Sequence, residues 1–286
     1  MHVPRAVAAA MAVASSLGLP ADGAVVLHRS NRLTLRLTPG PTVARVADEG
    51  EAAAQLVELE RARLLAEAGC PVGSAEPRVA PAVHVRDGFA VTLWAFHEPA
   101  ATWVAPEAYA AALRRLHAGL RTVEMTVPRW TDRVTEAQRI ADDPRLSPEL
   151  TGADRELLGS TLRGLRHAIE GRRASEQLLH GEPHPGNLLA TRSGPLFVDL
   201  ETLCRGPVEL DLAHAPGPVG EHDPGVDQGL LDDCRGLVLA LVAAWRWQRG
   251  DAFPGGREWG GRLLRALAAG PPWPTLEVVG PRRAAT

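Results

Sequence analysis

Lysine is absent from this 286-residue chain; all 31 basic residues are arginine. Any side chain that grips a phosphate here is therefore a guanidinium, a planar fork rather than a mobile point charge. With so much alanine, glycine and proline alongside, the absence itself reads as biased coding. Cysteine is scarce: Cys70, Cys204 and Cys234 lie far apart and form no metal-spaced pair. That excludes a disulfide framework as the source of stability and fits a reducing cytoplasm. Long apolar runs are missing too, and none approaches the ~20 residues of a membrane-spanning helix. The stretch from Ala6 to Leu19, with Arg5 before it, has the outline of a short signal peptide. It is rich in alanine rather than leucine, and one charge precedes it, so it reads as an amphipathic first helix ending at Gly18 to Pro20. A net charge of −3 and a pI near 6.4 give no reason to expect nucleic acid or an anionic membrane as partner. No internal repeat is visible. At this length the chain can bury a proper core, in one large domain or two modest ones.

What is present centres on one stretch, His180-Gly-Glu-Pro-His-Pro-Gly-Asn187, followed by Leu196-Phe-Val-Asp199. Pro183, Pro185 and Gly186 forbid a regular helix, since proline lacks an N–H and fixes φ. The segment reads as strand, tight loop, strand, with Glu182 and Asn187 on the loop. Gly194 marks a turn, and Pro195 to Leu200 returns as a second strand ending in Asp199. A loop carboxylate, a loop carboxamide and a strand-end carboxylate suit a divalent cation and a proton acceptor beside a phosphate.

The flanking texture divides the chain. Ala24 to His28, Leu33 to Leu37 and Thr42 to Val46 are strand-like, separated by turns, and read as an antiparallel meander. A helix over about Glu51 to Ala68 stops at Gly69 with Pro71 beyond. Asp87-Gly88 between alternating residues predicts a hairpin over Val83 to Trp94. From Pro106 onward helices dominate: Tyr109, Leu113, Leu116 and Leu120 recur at helical spacing. Further helices are expected over Thr131 to Ala141, Ala153 to Glu170 and Val226 to Arg249. The tail past Gly270 is rich in Pro and Arg and reads as irregular.

The motif His-Gly-Glu-x-His-x-Gly-Asn, the Val-Asp twelve residues after Asn187, and Glu209-Leu-Asp211-Leu-Ala together resemble the aminoglycoside phosphotransferase and choline kinase family. The spacing matches, with one departure: Glu182 stands where the family usually has Asp. The resemblance implies an α+β, two-lobed protein-kinase-like fold, with a small antiparallel β-sheet N-lobe over residues 1–95. A hinge at 96–100 and a larger, mainly helical C-lobe over 101–286 follow. It also implies an ATP-dependent (or GTP-dependent) kinase using Mg2+ to phosphorylate a small-molecule hydroxyl, with an aminoglycoside or other antibiotic as one expected acceptor.

Residue by residue, the resemblance makes Asp199 the principal metal ligand and Asn187 the second, and gives Glu182 the role of catalytic base. Glu182 carries its carboxylate one methylene further from the backbone than Asp, so the loop must be reset around it. His180 is expected to hydrogen-bond the loop backbone, and Asp211 to be a buried strut. Arg45 matches the third-strand cation on the α- and β-phosphates, and Glu58 the helix glutamate that pairs with it. Ser30 and Asn31 fall where the family folds a loop over the phosphates, without its glycines. Trp94, Ala95 and Phe96, followed by His97, supply the hinge and an apolar surface for the base. Glu221, Asp223 and Asp227, with Asp232 and Asp233, fall where a cationic acceptor is bound; as a local pattern they also read as acids at a helix start. Trp245 and Trp247 read as helix packing.

Two other classes stay open on the residues. One is a kinase-shaped protein that binds nucleotide or ligand with little or no turnover, favoured by Glu182 and the missing glycines. The other is a metal site of His180, Glu182 and His184. The prolines exclude helical i,i+4 ligation, and no distant third ligand announces itself.

Overall fold

The computed structural model describes residues 1–29, 32–222 and 225–280. The chain falls into two compact units. The first comprises Met1–Val104, Ala118–Val123 and Leu188–Glu201; the second comprises Ala105–His117, Glu124–Asn187 and Thr202–Thr286.

The first unit opens with helix α1 (Val3–Ser16), whose Ala6, Ala9, Ala10, Val13 and Ala14 form a buried stripe. Strands β1 (Gly23–Arg29), β2 (Leu33–Thr38) and β3 (Thr42–Asp48) form the expected meander, and helix α2 (Ala52–Glu67) follows. Its end is closed by Gly69 at φ 74°, with Cys70 N donating to Leu65 O at 2.9 Å. Only a residue free of the Cβ penalty reverses the chain there without strain. Strands β4 (His84–Arg86) and β5 (Phe89–Ala95) make the hairpin, with Asp87 and Gly88 both at positive φ as a tight turn requires. The sheet order is β1-β2-β3-β5-β4, antiparallel throughout. Strand β2 alternates strictly: Leu33, Leu35 and Leu37 are buried and pack with the α1 stripe and with Val46, Val91 and Leu93. Truncating one such leucine to alanine costs about 2–5 kcal/mol.

The second unit is mainly helical, with α3 (Pro106–Leu120, largely in this unit), α4 (Trp130–Asp142) and α5 (Gly152–Gly171). Strand β6 (Gln177–Leu179) leads into the central motif. The hairpin β7 (Leu188–Thr191) and β8 (Gly194–Phe197) belongs to the first unit, whereas β9 (Cys204–Gly206) pairs with β6. Helices α6 (Val208–Leu212), α7 (Gln228–Trp247), α8 (Gly256–Ala269) and α9 (Leu276–Val279) complete the chain. Helix α7 is buried from Gly236 to Ala244, and so is apolar on almost every face.

Three elements differ from the sequence reading. Strand β8 ends at Phe197, so Asp199 lies past the strand rather than at its end. The stretch 256–269, interrupted by glycines, is a full helix, and the short α9 interrupts the irregular tail. All three cysteines are buried, and burial pushes the Cys70 thiol up to about 11 and that of Cys204 to about 12. Among the described residues no helix is long and apolar enough to cross a membrane.

Candidate active site

In the first unit, β3 carries Arg45 and α2 carries Glu58, and the two form a direct ion pair. Glu58 is 2% exposed. Two further groups bond to it: Arg32 Nη1 at 2.7 Å from Oε2, and Leu200 N at 3.3 Å from Oε1. Asp199 is one residue earlier, at φ 66°, a left-handed conformation that a non-glycine residue holds only when its surroundings impose it. Its Oδ1 lies 4.0 Å from Arg45 Nη2. Arg61 fastens the following turn by donating to the carbonyls of Leu200 and Glu201 at 2.9 and 2.8 Å.

Glu201 completes the cluster, pairing with Arg32 and standing 3.6 Å from Arg45 Nη2. Its carboxyl is pushed up by burial and by the charges of Asp199 and Glu58, against the pull of Arg32 and Arg45. Burial alone would lower the Arg45 guanidinium; Glu58, Asp199 and Glu201 together raise it instead. One oxygen from each of Glu58, Asp199 and Glu201 lies within 4.8 Å of the others. Hard carboxylate oxygens so gathered fit a divalent cation such as Mg2+. Arg32 and Glu201 were not read from the sequence. The Asp-x-Glu spacing after a short strand was the available signal for Glu201, and Arg32 carried none.

In the second unit the loop from His180 to Asn187 is built on Asp211. This carboxylate is fully buried and accepts from His180 N at 3.0 Å and Gly181 N at 2.8 Å, with His117 Nε2 2.9 Å away. Burial would raise Asp211, but His117, His180 and the Gly181 amide hold it below the usual carboxylate range. Gly181 has φ 90°, and a Cβ there would collide with the Thr202 carbonyl, so glycine is required. His180 Nδ1 accepts from Glu182 N at 3.4 Å, a bond within the loop backbone. Asn187 Nδ2 donates to Glu182 O at 3.0 Å, so its carboxamide is oriented by the loop backbone.

The Glu182 carboxylate pairs with Arg133 of α4, which also donates to Gly181 O at 3.1 Å and stacks on the Trp245 ring at 4.8 Å. Burial would raise Glu182, but Arg133, with His214 and His184 nearby, holds it below its ordinary range. His214 is buried beside these charges, its Nδ1 without a hydrogen-bond partner among the described residues, and burial lowers its pKa to about 3. Arg133 was invisible in the sequence because nothing in α4 marks one arginine among several. His180, Glu182 and His184 do not form a metal-competent group among the described residues.

The remaining predicted residues are placed as follows. Trp94 lies under Arg45, its ring centre 5.7 Å from the guanidinium carbon. The Ala95 amide donates to Ser74 O at 3.0 Å and that of Phe96 to Pro41 O at 2.9 Å, while Arg36 stacks on the Phe96 ring at 4.0 Å. Asp227 caps α7, accepting from Leu230 N at 3.0 Å, and stands 3.7 Å from Arg172. Asp233 also pairs with Arg172, at 2.8 Å, and Asp232 accepts from Trp273 N at 3.1 Å. Ser30, Asn31 and Asp223 lie outside the described residues, as does the side chain of Glu221.

Residues 24–253 match the phosphotransferase enzyme family. The chain belongs to that family. Its enzymes are phosphotransferases, the class that the motif implied. A segment of 103 residues is 36% identical to Stress response kinase A of Salmonella typhi and to serine/threonine protein kinase RdoA of Salmonella typhimurium. The match covers 28% of this chain and 30% of each relative.

Among solved structures, amicoumacin kinase hAmiN, in complex with AMP-PNP, Ca2+ and Ami, superposes with a TM-score of 0.69 at 14% identity, covering 96% of this chain and 98% of that one. Choline kinase LicA from Streptococcus pneumoniae gives 0.65 at 14%, over 90% and 97%. Aminoglycoside phosphotransferase APH(3'')-Id from Streptomyces rimosus gives 0.53 at 21%, over 92% and 96%. These likenesses establish the α+β, protein-kinase-like fold.

Proposed function

We propose that this family member is a small-molecule kinase that moves the γ-phosphate of ATP or GTP to a hydroxyl of its acceptor, an aminoglycoside or another antibiotic being one such acceptor. The observation that carries the reading is the grouping of Arg45, Glu58 and Asp199 in the first unit. It puts a guanidinium for phosphate oxygens beside carboxylates for a cation. Phosphoryl transfer asks little more of a protein than position and charge neutralisation.

In this reading Asp199 and the Asn187 carbonyl oxygen hold Mg2+, which when bound neutralises phosphate charge. Arg45 binds the α- and β-phosphate oxygens, and Glu58 aims it. Glu182, ionised under the influence of Arg133, accepts the proton of the acceptor hydroxyl as that oxygen attacks phosphorus. Asp211 and His180 keep the loop in shape. Trp94, Ala95 and Phe96 border the base. Residues 1–95 act as the nucleotide lobe, 96–100 as the hinge and 101–286 as the acceptor lobe, in a cytoplasmic enzyme.

One observation favours a second reading, binding without efficient turnover: the Glu182 carboxylate is already engaged by Arg133. Calorimetric titration with ATP, with and without Mg2+, followed by ADP release across a panel of hydroxylated acceptors, separates the two. Magnesium-dependent binding with acceptor-stimulated release supports the kinase. Binding without any stimulated release supports the second reading, and no binding in a folded sample defeats both.

A further inference from the structure

Arg32, Glu58, Arg45 and Glu201 form a closed ring of alternating charge within the first unit. Each guanidinium touches both carboxylates: Arg32 and Arg45 pair with Glu58 on one side and with Glu201 on the other. The corners of the ring differ in exposure. The Glu58 side chain is 2% exposed, that of Arg32 8% and that of Arg45 17%, whereas that of Glu201 is 40% exposed. Only the Glu201 corner opens to solvent, and an incoming anion can replace only that carboxylate.

Glu201 is also crowded by like charge, since Glu58 and Asp199 each bring an oxygen within 4.8 Å of its own. A polyphosphate carries more negative charge than one carboxylate and offers oxygens to two forks at once. The connection before β2, Arg29-Ser-Asn-Arg32, contains no glycine whose backbone could approach a phosphate closely. A second guanidinium offers hydrogen-bond donors in place of such backbone amides, and positive charge besides.

We propose that Glu201 holds the place of a nucleotide phosphate across Arg32 and Arg45, and that Arg32 is a second phosphate-binding cation, uncovered when polyphosphate displaces Glu201. The proposal rests on the nucleotide reading given above. Wild type, Arg32→Gln and Glu201→Gln are each titrated calorimetrically with MgATP and with adenosine.

The expected result for Arg32→Gln is an affinity for MgATP weaker by about tenfold or more, with adenosine unaffected. For Glu201→Gln it is tighter MgATP binding, by about threefold to tenfold, again with adenosine unaffected. Arg32→Gln binding MgATP like wild type overturns the proposal. So does Glu201→Gln binding it more weakly, which would make Glu201 a prop or a metal ligand. If Arg32→Gln does not fold, the direction of the Glu201→Gln change decides alone. A wild type that binds no MgATP overturns the nucleotide reading as well, whereas the variant outcomes overturn only this proposal.

Discussion

Arg133 holds Glu182 from two directions, pairing with its carboxylate and donating to the carbonyl of Gly181 just before it. A glutamate one methylene longer than aspartate has an extra torsion to fix, and this guanidinium, itself stacked on Trp245, fixes it. The departure from the family pattern at residue 182 is thus matched by a partner on α4.

If Glu182 accepts the hydroxyl proton, Glu182→Ala lowers turnover by ~10²–10⁴-fold with MgATP affinity nearly unchanged. Glu182→Asp keeps the carboxylate but shortens its reach to Arg133, and its loss is expected to be smaller than that of alanine. Steady-state kinetics on the three proteins checks the order. Equal turnover in wild type and Glu182→Ala removes Glu182 from the chemistry.

Asp199→Asn keeps the shape of the side chain and removes its charge. Turnover should fall by at least ~10², and the dependence of nucleotide affinity on Mg2+ should largely disappear. Asp199 sits at the surface end of the cluster, so the melting temperature should move little. A magnesium titration followed by calorimetry reads both effects, and unchanged magnesium dependence would sink the ligand assignment.

How far the sequence could be read follows from the range of the forces involved. Strand alternation around Leu33, Leu35 and Leu37, the Asp87-Gly88 turn and the Gly69 helix stop are local, and each stood in the sequence as it stands in the fold. Helix α8 was missed because Gly256, Gly260 and Gly261 weaken its local propensity, while packing against α7 supplies what propensity lacks. The spacing from His180 to Asp211 was legible since a short loop and three short strands, β7 to β9, lie between them. Arg32, Arg133 and Glu201 were not, because an arginine meets its carboxylate through tertiary placement and nothing nearby in sequence distinguishes it from its neighbours. Asp227 read in the sequence both as an acceptor-binding acid and as an acid at a helix start, and in the fold it caps α7 beside Arg172.

Gly181 has no permissible substitute. A side chain there meets the Thr202 carbonyl and must also adopt φ 90°, so Gly181→Ala should cost about 3 kcal/mol or more of stability. The same substitution disturbs the amide that Asp211 holds at 2.8 Å. Urea unfolding monitored by circular dichroism tests this, and a loss under about 1 kcal/mol would mean that the loop can relax away from Thr202.

His214 gives the protein an acid sensitivity of its own. It is 4% exposed, and burial depresses its pKa to about 3, with Arg133 and His184 acting in the same direction and Glu182 and Asp211 opposing. In the unfolded chain an ordinary histidine titrates near 6.5. Between those values the unfolded state takes up a proton that the folded state refuses, so stability falls as pH drops below about 6.5, by roughly 1.4 kcal/mol per pH unit. The depressed carboxyls Glu182 and Asp211 lose their contributions only lower, below the ordinary carboxylate range, and the burial-depressed His97 adds to the slope of wild type and variant alike, so the difference between them over pH 7.5 to 5 belongs to His214. His214→Gln starts from a stability of its own, so the slope is the quantity to compare. Wild type should lose about 2 kcal/mol more than the variant between pH 7.5 and 5, measured by denaturant unfolding at each pH. Parallel slopes would show that His214 takes up its proton in the folded protein.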